Sequence, residues 1–293
     1  MTTLICLGLG YCARFHAAEY GSRFGRVIAT SRSPEKTFAG IQMLTFDGIH
    51  PSPELRNAVA EATHLLISAA PVESGDPILA ALADDIAAAP NLQSIVYLST
   101  TGVYGDHGGA WVDETTPTIP PHTRGAARVD AELAWQALGR QRGTPVAILR
   151  LGGIYGPGQN AFLRLRAGRA HRIDKPGHVS NRIHVADIAQ AIDAAFARRF
   201  DGAVNVTDGS PAPPGNQIEF AANLLGIAPP PLLALDEATR TLSPFLMSFY
   251  ETCSKVRNDR LKNALGVTLR YPDYRVGLQA LFDRGFETET PIR

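Results

Sequence analysis

Residues 4–7 form a short apolar run that ends in Gly8-Leu-Gly10-Tyr-Cys-Ala13, and a helical pattern follows at once. Few folds accept a buried strand that passes through two glycines straight into a helix. Gly8 allows the tight turn, Gly10 lets another group approach the backbone, and the small Ala13 lets helix pack on strand. Tyr11 and Cys12 fall in the first helical turn, where free amides and the positive end of the helix dipole suit a phosphate. The pattern is a dinucleotide-binding fingerprint; the alternative is a glycine turn that binds nothing.

The rest of the chain supports the first reading. Strands are predicted over residues 26–30, 41–46, 64–68, 94–99 and 146–151, with helices over 11–22, 53–62, 77–89 and 129–140 between them. Such alternation implies an α/β fold, a Rossmann-type doubly wound parallel sheet with helices on both faces. Proline-rich stretches at 211–214 and 229–231 break the alternation. The expected organisation is a nucleotide-binding domain over 1–157 and a smaller, mostly helical C-terminal substrate lobe over 158–293. That lobe is interleaved with late core-sheet elements over about 177–208, including a strand near 203–206.

Composition removes several partners. Lys+Arg and Asp+Glu are equal at 28 each in 293 residues, so no polyanion such as nucleic acid is expected. No apolar run approaches the ~18 residues a membrane span needs. The N-terminus has no basic region and reads as a first strand rather than a signal peptide. Cys6, Cys12 and Cys253 are too scattered for a disulfide frame or a metal site, so no metal is expected and a cytoplasmic location is.

About 20 residues past the glycines, an NAD enzyme places an acid against the ribose hydroxyls. This chain has Ser31-Arg32-Ser33 there, and no acid to repel a 2′-phosphate. NADP is therefore preferred over NAD, with Arg32 supplying charge, although a solvated loop arginine reads the same way. Asp47 stands where an adenine amino group binds, or simply in a turn. Ser68-Ala69-Ala70 ends a strand at the expected ligand crevice with small side chains that also suit tight packing.

Five further stretches carry a family likeness: Leu98-Ser-Thr-Thr-Gly-Val-Tyr-Gly105, residues 114–132, Arg150-Leu-Gly-Gly-Ile-Tyr-Gly-Pro-Gly158, Asn181-Arg-Ile-His-Val-Ala-Asp187, and Ser254-Lys-Val-Arg-Asn258. In this order they resemble the extended short-chain dehydrogenases of the NAD-dependent epimerase/dehydratase family, over nearly the whole chain. The resemblance implies that Thr100 orients a substrate hydroxyl and that Gly153 and Ile154 lie beside the nicotinamide. It also places Arg124 and Arg128 where that family carries the Tyr and Lys of its catalytic helix, so the chain resembles an atypical member.

A phenol with pKa ~10 needs a nearby cation to work near neutrality. Arg128 can still be that cation and can bond the nicotinamide ribose. Arg124 cannot replace the tyrosine as acid or base, because a guanidinium stays protonated, but it can bind an anion or polarise a carbonyl. His122, Tyr104 and Tyr155 are the candidates for a displaced proton carrier. His122 has the suitable pKa and reads equally as an exposed loop residue. Tyr104 and Tyr155 read equally as packing residues. His184 is undecided, and Asp187 is expected to cap a helix from Ile188. Arg182, Lys255 and Arg257 are expected to face a phosphorylated or nucleotide-sugar substrate, or else to be surface cations.

Two functions of different class follow. One is an oxidoreductase or epimerase acting on a small hydroxyl or carbonyl substrate with a non-standard proton carrier. The other is a non-catalytic NADP-binding sensor or assembly protein. A homodimer is possible, with Trp135 and Leu138 serving either its interface or the core.

Overall fold

The computed structural model describes residues 1–33 and 38–286. Seven strands form the central sheet: β1 (Thr3–Leu7), β2 (Arg26–Ser31), β3 (Gln42–Thr45), β4 (His64–Ile67), β5 (Ser94–Thr100), β6 (Val146–Leu151) and β7 (Gly202–Val206). All their pairings are parallel, in the spatial order β7-β6-β5-β4-β1-β2-β3. Buried parallel strands read as unbroken apolar runs because both faces are covered. Thus Leu4, Ile5, Cys6 and Leu7 are all fully buried.

Helices α1 (Tyr11–Tyr20), α2 (Pro53–Glu61), α3 (Pro77–Ala88), α4 (Thr123–Arg142) and α6 (Val185–Ala197) cover the sheet, and α5 (Ala161–Arg166) and α7 (Pro214–Leu224) belong to the lobe. Two cores result. One packs α1 and α6 on one face through Phe15, Ile188 and Ile192. The other packs α2, α3 and α4 on the opposite face through Leu55, Leu82 and Trp135. The order of the sheet reverses between β1 and β4, and a ligand crevice opens beyond strand ends at such a point.

Two expectations need correction, and one that stood open is decided. First, α4 begins at Thr123, six residues before the predicted 129. Arg-Gly-Ala-Ala carries no apolar period, but its alanines are strong helix formers and Gly125 lets the first turn close on Pro120. Second, Trp135 and Leu138 are buried, and the Trp135 indole donates to Asp76 at 2.9 Å; both serve the core. Third, Asp187 caps nothing from Ile188. The helix starts at Val185, and His184 Nδ1 accepts the amide of Ala186 at 3.1 Å. The Asp187 carboxylate instead accepts the amides of Arg270 and Tyr271 at 2.7 and 3.1 Å, which ties the C-terminal segment to α6.

The lobe is less purely helical than the prolines suggested. It adds short parallel strand pairs, of which Arg182–His184 against Gly153–Tyr155 shapes the crevice. Two short helices, α8 (Leu235–Thr241) and α9 (Pro244–Ser248), lie across its top. Among the described residues, no helix is long and apolar enough to cross a membrane.

Candidate active site

The glycine turn meets its requirements in detail. Gly8 has φ +92°, and a Cβ there would lie 2.9 Å from the amide nitrogen of Ala69. A Cβ on Gly10 would lie 3.1 Å from Ser68 Oγ. The small residues at the end of β4 therefore pack against the turn itself. The amides of Gly8 and Leu9 donate to Thr30 Oγ1 and Thr30 O at 2.8 and 2.9 Å, which binds the turn to the end of β2. Helix α1 has no side-chain cap and no acid in its first turn. Its amides stay open beside a cradle that any side chain would fill, and these residues fit a dinucleotide pyrophosphate. Cys12 and Ala13 are buried beneath it. Tyr11 donates to the carbonyl of Pro157 at 2.7 Å, joining this helix to the crevice wall.

The adenosine end is more open. Ser31 Oγ accepts the amide of Ser33 at 3.2 Å, and Arg32 and Ser33 are exposed. Asp47 Oδ1 accepts the amides of Ile49 and His50, both at 2.7 Å, and these bonds hold its carboxyl down at about 2. Asp47 Oδ2 lies 3.0 Å from His50 Nδ1, so the turn reading accounts for both of its oxygens.

A cavity of about 1120 Å³ continues from Ala70 and Pro71 toward the lobe. Thr100, His122, Arg124, Arg128, Gly153 and Ile154 all line it, so β5, α4 and the strand after β6 converge there. Thr100 Oγ1 accepts the amide of Gly102 at 3.1 Å, which leaves its proton free to donate. Arg128 donates to Leu98 O at 2.9 Å and to Tyr97 Oη at 3.2 Å. Arg124 is exposed to the cavity, its guanidinium 5.2 Å from the centre of the Phe245 ring of α9. No residue of α4 is a Tyr or a Lys. His122 precedes the helix, and its Nε2 pairs with Glu251 Oε2 at 2.7 Å.

Other candidates lie elsewhere. Tyr104 is fully buried, outside the cavity lining; its hydroxyl donates to Asn205 at 2.7 Å and accepts from Arg150 at 3.0 Å. Arg150 in turn pairs with buried Glu132 at 2.7 Å. Lys255 and Arg257 are also outside it. The first lies in the strand Lys255–Val256, paired to Trp111–Val112, and Arg257 stacks 5.3 Å from the Trp111 ring. Alternate residues of a strand face opposite ways, and it is Val256 that turns inward. Tyr155 touches the cavity but is buried, its hydroxyl bonded to Asp273 O at 3.3 Å. His184 is buried against Tyr271 and Tyr155, and burial holds it down to about 3, so it stays neutral.

Arg182 does reach the cavity, and it has company that sequence reading missed. Gln217 Oε1 accepts from Arg182 Nε and from Arg164 Nη2, both at 3.3 Å. Gln217 is buried, and its Nε2 has no partner. Burial lowers the pKa of both arginines. Arg182 is buried and also donates to the carbonyls of Ser180, Ala212 and Pro213, whereas Arg164 is exposed to the cavity. Arg169 and His171 line the same end. Across the whole lining, five arginines face one carboxylate, Glu73. A cavity so lined attracts anions.

Residues 72–207 match the model of the NAD dependent epimerase/dehydratase family. A 3-diazoavenalumate denitrifying reductase from a Streptomyces species is 30% identical over 202 residues, 66% of each chain. A solved conserved protein of unknown function from Silicibacter pomeroyi is 47% identical, with a TM-score of 0.87 over 97% of this chain and 99% of that one. The dTDP-glucose 4,6-dehydratase of Bacillus anthracis, solved in complex with NAD, is 17% identical, with a TM-score of 0.77 over 97% and 96% of the two chains. It shares the fold.

Proposed function

The chain belongs to the NAD-dependent epimerase/dehydratase family, and from that premise we propose that it is an NADP-preferring oxidoreductase acting on a carbonyl or hydroxyl of a small anionic substrate. The observation that carries the substrate class is the trio Arg164, Gln217 and Arg182. Arg164, exposed to the cavity, and buried Arg182, which also donates to the carbonyls of Ser180, Ala212 and Pro213, converge on one amide whose buried nitrogen lacks an acceptor among the described residues. A carboxylate or phosphate on the substrate would accept from the Gln217 nitrogen and from the exposed Arg164 guanidinium, at charge-assisted strength. A substrate with no acceptor there would leave the buried Gln217 nitrogen unpaired, which is costly.

A bound nicotinamide supplies hydride transfer. The chain does the rest. The α1 amides and the glycine cradle hold the pyrophosphate, and Ser31, Arg32 and Ser33 favour a 2′-phosphate. Thr100 donates to the reacting oxygen. Arg124 and Arg128 keep that end positive as charge develops on oxygen. A cytoplasmic location is part of this reading, supported by three buried free thiols.

The test begins with fluorescence titration of NADPH and NADH. Aldehydes bearing a carboxylate or phosphate are then compared with their neutral esters by NADPH absorbance. Anionic aldehydes should be reduced at least ~10-fold better, with the preference lost in Arg182→Met and Arg164→Met. Preference for the neutral esters, or cofactor binding with no turnover of any aldehyde, would overturn the proposal. The latter outcome would mark a cofactor-binding sensor instead.

A further inference from the structure

The missing tyrosine leaves open which group carries the proton. We propose that His122 is the proton carrier and that Glu251, from the covering segment of the lobe, is the residue that positions it; this rests on the oxidoreductase reading above. Three observations converge. His122 immediately precedes α4, two residues from Arg124, and lines the same cavity as Thr100. Its Nε2 lies 2.7 Å from Glu251 Oε2, which joins the start of α4 to the segment after α9. The side chains are 46% and 51% exposed, so the pair borders the cavity and exchanges protons with water.

A carboxylate bonded to one imidazole nitrogen fixes the ring and its tautomer and favours the imidazolium. With Nε2–H committed to Glu251, the other nitrogen, Nδ1, is the one left to exchange a proton with substrate. In the reducing direction, a bound reduced nicotinamide would supply the hydride for the new C–H bond. The carbonyl oxygen takes the proton from His122 Nδ1, and the neutral imidazole recovers one from solvent. The carbonyl is reduced to an alcohol and the cofactor is oxidised. Arg124 and Arg128 from α4 and Glu73 from the loop before α3 are the other charged groups facing this end of the cavity.

Glu251 belongs to the segment just after α9, which carries Phe245, Phe249 and Tyr250 on the cavity. A carrier built this way is complete only when the lobe covers the crevice, so proton transfer is coupled to a covered site.

Two measurements test this on the full-length protein. The first is an NMR titration of the His122 ring in the wild type and in Glu251→Gln. The midpoint should fall by about half a unit or more in the variant; an unchanged midpoint would overturn the pairing. The second is reduction of 4-carboxybenzaldehyde by NADPH across pH. His122→Asn should lose roughly 10²-fold or more in kcat at neutral pH while NADPH affinity holds. Glu251→Gln should move the alkaline limb of the kcat profile to lower pH, and Glu251→Asp should restore part of it. Full activity in His122→Asn would overturn the carrier role. Failure of the wild type to reduce any aldehyde would instead sink the oxidoreductase reading, while the NMR result would still decide the pairing.

Discussion

Arg128 donates a 2.9 Å hydrogen bond to the carbonyl of Leu98, two residues before Thr100 on the same strand. The cation of α4 is therefore braced on the strand that ends in Thr100. A second bond at 3.2 Å reaches the Tyr97 hydroxyl. Arg128→Met should free both acceptors and cost about 1.5–3 kcal/mol of stability, as loss of a charged hydrogen-bond donor does. Arg128→Lys should cost less, since an ammonium reaches one acceptor as a point charge but cannot fork to both. Urea unfolding of the two variants checks the order; equal stability of Arg128→Met and wild type would refute it.

The glycine turn was legible because its constraint is local. Gly8 must take φ +92°, and its neighbour at the end of β4 must be small. The strands were legible because burial on both faces writes itself as an apolar run. The substrate end was not. Arg164 and Gln217 sit on two lobe helices, where a polar residue looks like any solvated position; only the packing of α5 against α7 brings them together. Lys255 and Arg257 stayed open between two readings for the converse reason: a motif gives position along a strand without telling which face points at the cavity. Glu251 carries no signal at all until the fold lays it beside His122.

Arg32 is exposed at the end of β2, with no acid at Ser31 or Ser33. If a 2′-phosphate binds there, Arg32→Ala should weaken NADPH by roughly 10- to 100-fold, the worth of a charge-assisted bond, and NADH by little. Fluorescence titration with both cofactors reads the difference. Equal losses would remove the NADP preference.

His16 gives a prediction about pH. Its ring is fully buried among Tyr20, Phe24 and Phe196, and neither ring nitrogen has a partner. Burial lowers its pKa from 6.5 to about 3. Below pH 6.5 the unfolded chain takes up a proton that the native state refuses, so stability falls with pH until about 3 is reached. At pH 5 that amounts to ~2 kcal/mol for this one group. Asp208, raised to about 7 by burial, acts in the opposite sense, because its native carboxyl holds a proton the unfolded chain has lost. The clean comparison is therefore a variant. His16→Phe should match wild type at pH 7 within about 1 kcal/mol and exceed it by ~2 kcal/mol at pH 5. Urea midpoints at the two pH values decide; parallel shifts would mean His16 is protonated in the native state.

A buried ion pair, Arg150–Glu132, bridges β6 and α4 at 2.7 Å. Glu132 also accepts the Ser99 hydroxyl, and Arg150 extends the chain through Tyr104 to Asn205. Every link lies under the floor of the cavity, one residue from Thr100 at its nearest. Removing one partner leaves the other charge buried and unpaired, so Glu132→Leu alone should cost about 3–5 kcal/mol. Arg150→Met alone should cost a similar amount. The double variant should recover most of that loss, because two well-packed apolar side chains replace a pair whose desolvation nearly cancels its attraction. Thermal and urea unfolding of the three variants closes the cycle. If the double variant is stable but turns over substrate slowly, the network holds Thr100 in place rather than holding the fold together; additive losses would show that the two residues stabilise the protein independently.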